Sequence, residues 1–156
     1  MSKNIIYKDL GAMPYADAWD YQEKLFSEIM EAKTVKKGRE YSNYLLFCEH
    51  PHVYTLGKSG SVNNLLINEE AIKQKGASFF RINRAGDITY HGPGQIVGYP
   101  ILNLEAFGIG IRRYIEILEE AVIRLLKSYG LSTGRLEGAS GVWLDARIPG
   151  KARKIC

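Results

Sequence analysis

Arg84-Ala85-Gly86-Asp87-Ile88-Thr89-Tyr90-His91-Gly92-Pro93-Gly94-Gln95-Ile96-Val97-Gly98-Tyr99-Pro100-Ile101-Leu102-Asn103-Leu104 divides into three pieces. From Arg84 to His91 a guanidinium, a carboxylate, two hydroxyls and an imidazole crowd into eight positions. Groups packed that densely need hydrogen-bond partners, which points to a polar loop. Gly92-Pro93-Gly94 then turns the chain sharply: proline fixes its own φ, and the glycines on either side can take positive φ or let a ligand approach the backbone. Gln95 to Leu104 is apolar and β-branched, the pattern of a buried strand that carries the loop on a rigid element. His-Gly-Pro-Gly alone is also what a plain hairpin turn carries.

Upstream of this stretch, Asn4 to Tyr7 reads as a short strand closed by Gly11, and Pro14 suits the first position of a helix. Tyr15, Trp19, Gln22, Phe26 and Ile29 recur at helical spacing and predict one core face, with a stop at Lys36-Lys37-Gly38. Gln22 on that face needs a partner for its amide, most simply backbone. Tyr44 to Cys48 and Val53 to Leu56 read as strands flanking His50-Pro51-His52. A zinc reading of these two histidines is disfavoured in favour of a pocket-lining or turn role, because His91 is the only other histidine and no Cys-x-x-Cys or Glu-bearing helix completes a set. Gly57-Lys58-Ser59 is not the end of a phosphate-binding loop, since His52 stands where such a loop needs glycine. Asn68 caps a helix that opens with Glu69 and Glu70, closes with Lys73 and Lys75, and stops at Gly76. Ser78 to Ile82 is a strand leading into the loop.

Downstream, Ile111, Ile115, Leu118, Val122, Leu125 and Tyr129 form an apolar stripe on a long helix ended by Gly130, and the stripe is expected to be core. Gly141 to Asp145 is a strand, Ala146 to Ala152 with Pro149-Gly150 a turn, and Arg153-Lys154-Ile155-Cys156 returns antiparallel beside it. A returning strand that ends after four residues leaves ladder groups unpaired at an edge, so the expectation is a domain incomplete at its C-terminus.

The totals bound the class. The chain has 156 residues, 46% hydrophobic, which suits one globular domain over 1–156. Its 21 basic and 17 acidic residues give a net charge of +4, suited to an acidic partner but too even for a nucleic-acid binder. Cys48 and Cys156 are too few for a disulfide framework, and Cys48 sits in an apolar run where a buried thiol is ordinary. No stretch reaches the ~20 apolar residues of a membrane span. A soluble, cytoplasmic protein is expected, bound to neither nucleic acid nor membrane.

Arg84 to Gln95, continued by Val97-Gly98-Tyr99-Pro100-Ile101, closely resembles the signature of the octanoyltransferases of lipoate synthesis, the lipoate-protein ligase B family. The resemblance extends to Glu49-His50-Pro51-His52-Val53-Tyr54-Thr55-Leu56-Gly57, Asn64-Leu65-Leu66, Gly141-Val142-Trp143 and Lys154-Ile155, and so covers nearly the whole chain. It implies an α/β (α+β) domain of the biotin/lipoate protein ligase type, with a mixed sheet and packed helices. It also implies an octanoyl group carried from acyl carrier protein to a cysteine and then to a lysine of a lipoyl domain, on 2-oxoacid dehydrogenases or the glycine cleavage H protein. Passage between two sulfurs is nearly isoenergetic and the thioester then drives amide formation, so no nucleotide, other cofactor or metal is called for.

A free thiol with a pKa of ~8.5 is only a few per cent ionised at neutral pH, which a neighbouring ammonium corrects. By the resemblance, Lys154 is that ammonium, and Arg84, Ala85, Gly86, Asp87, Ile88, Thr89, Tyr90 and His91 are the substrate-binding segment, with Tyr90 and His91 lining the acyl pocket. Ala85 stands where the family usually has a second glycine, which costs little unless φ there is positive. The family's Pro-Cys-Gly nucleophile lies beyond the Lys-Ile strand and is not in this chain; Cys156 is not its counterpart. A competing reading is a catalytically silent module that binds acyl chains or docks acyl carrier protein. An ATP-dependent lipoate or biotin ligase is disfavoured by His-Gly-Pro-Gly-Gln.

Overall fold

The computed structural model describes residues 3–34, 40–148 and 150–156. They pack as two compact units, one up to Asn103 and one from Leu104 to Cys156. The Lys36-Lys37-Gly38 stop and Pro149 lie outside the described residues. No helix among the described residues is long and apolar enough to cross a membrane.

The first unit holds two three-stranded mixed sheets. Strand β1 (Ile5–Ala12) runs parallel to β2 (Asn43–Glu49), and β6 (Val97–Ile101) lies antiparallel on the other side of β2. In the second sheet β3 (Val53–Leu56) is central, with β4 (Ser78–Arg81) parallel and β5 (Ile88–His91) antiparallel. The mixed α/β character follows the expectation, with corrections in detail. Strand β1 is not closed by Gly11 but passes through it, with φ +61° at Gly11 and a register shift between Asp9 and Ala12. Glycine tolerates that kink where a Cβ would not. The strand read over Gln95 to Leu104 shortens to β6, because Leu104 already begins the short helix α3 (Leu104–Phe107). Gly92-Pro93-Gly94 does not close a hairpin: β5 pairs with β3 and β6 with β2, so the turn carries the chain from one sheet to the other.

Helix α1 (Tyr15–Thr34) starts after Pro14, whose carbonyl accepts from the Ala18 amide. Its buried face is Ala18, Leu25, Ile29 and Ala32, rotated from the predicted one, and Phe26 is exposed. Leu25 and Ile29 pack with Leu46 and Ile101 against sheet β1-β2-β6, each burial contributing about 2 kcal/mol. The Gln22 amide donates to the Ala18 carbonyl, the expected backbone partner. Helix α2 (Glu69–Gln74) is capped as read, with Asn68 Oδ1 accepting from the Ala71 amide at 2.8 Å.

In the second unit, helix α4 (Ile111–Ser128) accompanies an antiparallel sheet of β7 (Thr133–Leu136), β8 (Ala139–Leu144) and β9 (Arg153–Lys154). The expectation that the apolar stripe of α4 is core is not met. Ile111, Ile115, Leu125 and Tyr129 are exposed, and only Leu118 and Val122 are half-buried. Polar contacts also join α4 to the sheet. Glu119 accepts from the Gly141 amide at 2.8 Å and pairs with Arg135 at 2.9 Å, while Arg135 also holds Glu120 and the Glu116 carbonyl. The antiparallel return is present: Trp143 lies opposite Lys154, and Ile155 and Cys156 continue the ladder on Val142.

Candidate functional site

A cleft of about 540 Å³ opens within the first unit, in the range of small-ligand sites. One wall is α1, through Tyr15, Trp19 and Gln22. Opposite it stand residues of three strands: Val97, Gly98 and Tyr99 from β6, Thr55 from β3, and the alternate pair Thr89 and His91 from β5. The period of two along a strand explains this choice, since Ile88 and Tyr90 necessarily point to the other face. Arg84 closes the rim.

The segment Arg84 to His91 is therefore divided. Arg84, Thr89 and His91 reach the cleft, whereas Ala85, Gly86, Asp87, Ile88 and Tyr90 do not line it. Ile88 to His91 is strand and not loop. Arg84 braces the segment: its guanidinium donates to the Ala85 carbonyl at 2.8 Å, the Asp87 carbonyl at 3.1 Å and Thr89 Oγ1 at 2.7 Å. Asp87 accepts from the Asn64 side chain, which ties the loop to the short 3₁₀ turn Val62–Asn64. Ala85 is exposed and does not have positive φ, so its methyl fits without strain, while Gly86 takes φ +93°. Tyr90 turns outward, its hydroxyl 2.6 Å from His52 Nδ1 and its ring stacked on that imidazole.

Two further residues shape the site: His50, read as a pocket-lining or turn residue, and Gly57, to which the sequence reading gave no such role. His50 is buried at 1% exposure. Its Nδ1 lies 2.7 Å from the Met13 carbonyl and its Nε2 2.7 Å from the Tyr99 hydroxyl. A carbonyl only accepts, so Nδ1 carries the hydrogen and Nε2 accepts from Tyr99. Burial, with Tyr15 and Cys48 adding to it and Gln22 opposing, pushes the Tyr99 phenol well above its ordinary 10.0, which keeps it a donor. Gly57 is the second. A side chain there would run into the carbonyl oxygens of Arg84 and Gly86, so glycine lets the loop close over β3, where the Lys58 amide donates to the Arg84 carbonyl at 2.8 Å. The signal for both lay in the motif upstream of the loop, but their partners are far away in sequence.

His91 is half-buried, with Nδ1 2.6 Å from Gln95 Oε1, an acceptor, so Nε2 is the unprotonated nitrogen. Burial holds its pKa below the ordinary 6.5; the Gln95 bond opposes this, and His50 and Arg84 reinforce it. Cys48 is buried as expected, and burial, with Asp9 adding, raises its thiol, which makes it a poor nucleophile. In the second unit Lys154 is exposed on β9, its Nζ 5.6 Å from the centre of the Trp143 ring. Cys156 is exposed as well.

Residues 14–156 match the family described as lipoyl protein ligase A/B catalytic domain. Among curated relatives, an octanoyltransferase of Flavobacterium johnsoniae is 56% identical over all of this chain and 68% of its own length. An octanoyltransferase of Parabacteroides distasonis is 55% identical over 96% of this chain and 67% of its own length. The chain thus spans about two thirds of these relatives. Among solved structures, the bipartite lipoate protein ligase of Thermoplasma acidophilum superposes with a TM-score of 0.58 at 18% identity. That alignment covers 99% of this chain and 54% of the solved one, a likeness of fold.

Proposed function

The chain belongs to the octanoyltransferases of the lipoyl protein ligase A/B catalytic-domain family, and from that membership we propose that it holds the acyl chain during octanoyl transfer from acyl carrier protein to a lipoyl-domain lysine. The observation that carries this reading is the cleft. It offers apolar walls from Trp19 and Val97, together with a small set of convergent polar groups on Arg84, Thr89, His91 and Tyr99. An alkyl chain with a single thioester carbonyl needs that ratio of apolar lining to directed hydrogen bonds.

In the first step a cysteine thiolate attacks the thioester carbonyl of octanoyl-acyl carrier protein, and the carrier's thiolate leaves. The new thioester is then attacked by the lipoyl-domain lysine amine; an amide forms, the enzyme's thiolate leaves, and the amine gives up a proton. A neutral His91 with a free Nε2 is suited to accept a hydrogen bond or that proton. Lys154 serves as the cation that favours the thiolate, on a cysteine lying in the part of the relatives that this chain does not span. The reaction uses no nucleotide and fits a cytoplasmic setting. The lipoyl-domain substrates are those of 2-oxoacid dehydrogenases and the glycine cleavage H protein.

The test mixes octanoyl-acyl carrier protein, an unmodified lipoyl domain and the full-length product of the gene without ATP, and reads the lipoyl domain by intact mass. Octanoylated lipoyl domain is expected. Octanoyl-chain binding without transfer by the full-length product would favour a silent acyl-binding module, and a strict ATP requirement would favour a ligase.

A further inference from the structure

We propose that Trp143 is the positioning residue for Lys154, with Gly141 providing the space in which the lysine lies; the inference rests on the reading of Lys154 as the thiol-activating cation. Trp143 and Lys154 are directly opposed across β8 and β9. Opposed residues share one sheet face, and residues two apart on a strand do so too, so Gly141, Trp143 and Lys154 form one strip. The ammonium stands 5.6 Å from the indole centre, within cation–π range. At Gly141 the backbone has φ +109°, and a Cβ there would come within 2.7 Å of Lys154 Cε and collide with the Cys156 carbonyl. The lysine stem therefore passes over the glycine and its charge rests on the indole. A long lysine stem on an exposed strand otherwise samples many rotamers, and a cation that must sit beside a thiolate gains from losing them.

The indole itself supports this role. Its Nε1 is buried and has no hydrogen-bond partner among the described residues. An orphaned buried donor destabilises the fold, and phenylalanine or leucine would fill the position without one. What tryptophan offers over either is the strongest aromatic face for a cation.

The test has two arms. The protein is reductively methylated with ¹³C-formaldehyde, which keeps the lysine charge, and the Lys154 resonance is identified by its loss in Lys154→Arg. That resonance is expected upfield of the other lysines through the indole ring current, to move partway back in Trp143→Phe, and to rejoin the others in Trp143→Leu. Trp143→Phe removes the orphaned donor and retains an aromatic ring, so it is expected to fold, which leaves the test decisive if Trp143→Leu does not. A Lys154 resonance among the other lysines, or one unmoved by either substitution, overturns the proposal. The second arm follows cysteine acylation by octanoyl-acyl carrier protein against pH in the full-length gene product. Trp143→Leu, or Trp143→Phe in its place, is expected to shift the profile to higher pH, toward that of Lys154→Ala, with the high-pH rate retained. If Lys154→Ala shifts the profile and neither Trp143 variant does, this inference alone falls. If Lys154→Ala leaves the profile unchanged, the activating role of the lysine falls, and that of Trp143 with it.

Discussion

Tyr99 donates its hydroxyl to Nε2 of His50 across 2.7 Å, and the imidazole it meets is 1% exposed and fixed from its other side by the Met13 carbonyl. The pair joins β6 of one sheet to the link that leads into the other. Tyr99→Phe removes the donor and leaves a buried nitrogen unpaired. A loss of about 1–3 kcal/mol in unfolding free energy by denaturant titration is expected, with weaker octanoyl binding. Unchanged stability would mean that water or Cys48 replaces the phenol.

His91 gives a pH dependence with a definite sign. Its folded pKa lies below the ordinary 6.5, so the unfolded chain binds the proton more tightly. Stability from this group is fully present above the ordinary imidazole value and is lost as pH falls from there through the folded pKa. His91→Gln is expected to flatten that part of the stability curve in urea titrations at stepped pH. A curve as steep as wild type in that window would assign the acid sensitivity elsewhere.

Gly57→Ala tests the closure of the loop over β3. A methyl group there meets two backbone carbonyls that cannot swing aside like a side chain, and overpacking of this kind costs about 1–3 kcal/mol. Octanoyl affinity by calorimetry is expected to fall because the Arg84 loop is displaced, whereas Gly94→Ala, whose Cβ meets nothing within 4 Å, would strain only the local backbone.

Lys154→Ala in the full-length gene product is expected to slow cysteine acylation at neutral pH. Loss of one pKa unit of stabilisation lowers the thiolate fraction about tenfold. Cys156→Ser is expected to change nothing, and an octanoyl adduct mapped to Cys156 by mass spectrometry would overturn that assignment.

Docking to acyl carrier protein is expected to weaken with salt, given the net charge of +4 and an acidic partner. Exposed charge pairs are screened over about 8 Å at physiological ionic strength. Binding by fluorescence anisotropy that is flat from low to high salt would remove electrostatics from recognition.

Local signals in the sequence carried far. The Asn68 cap and the strand pair around Trp143 and Lys154 were legible because each depends on neighbours in the chain, whereas a site at Arg84 to His91 was expected from the resemblance and only Arg84, Thr89 and His91 of that segment reach the cleft. For His50 a pocket-lining or turn role was legible but its partner was not, and Gly57 was visible only as a motif residue: their partners Tyr99, Arg84 and Gly86 come from strands and loops distant in sequence. Because Arg84 to His91 was read as a loop, neither the shared face of Thr89 and His91 nor the turn of Tyr90 toward His52 was foreseen. The stripe on α4 shows the limit in the other direction, since a 3.6-residue period establishes an apolar face and says nothing of what covers it. Strand β7 escaped notice because Thr133-Gly134-Arg135-Leu136 has no alternation to mark it.

The tight link through His50 and Pro51 between β2 and β3 bears on how fast the first unit folds. Strand β2 is the centre of one sheet and β3 the centre of the other, and every partner of each comes from a distant stretch of chain: Ile5 meets Asn43, Tyr44 meets Ile101, Val53 meets Ser78 and His91. Loop-closure entropy must therefore be overcome several times before any ladder rewards it, and parallel pairings add to the delay. With only a few residues between them, the two central strands cannot settle independently. Refolding is therefore expected to be slow for a chain of this size, with both sheets forming in one cooperative step by stopped-flow fluorescence.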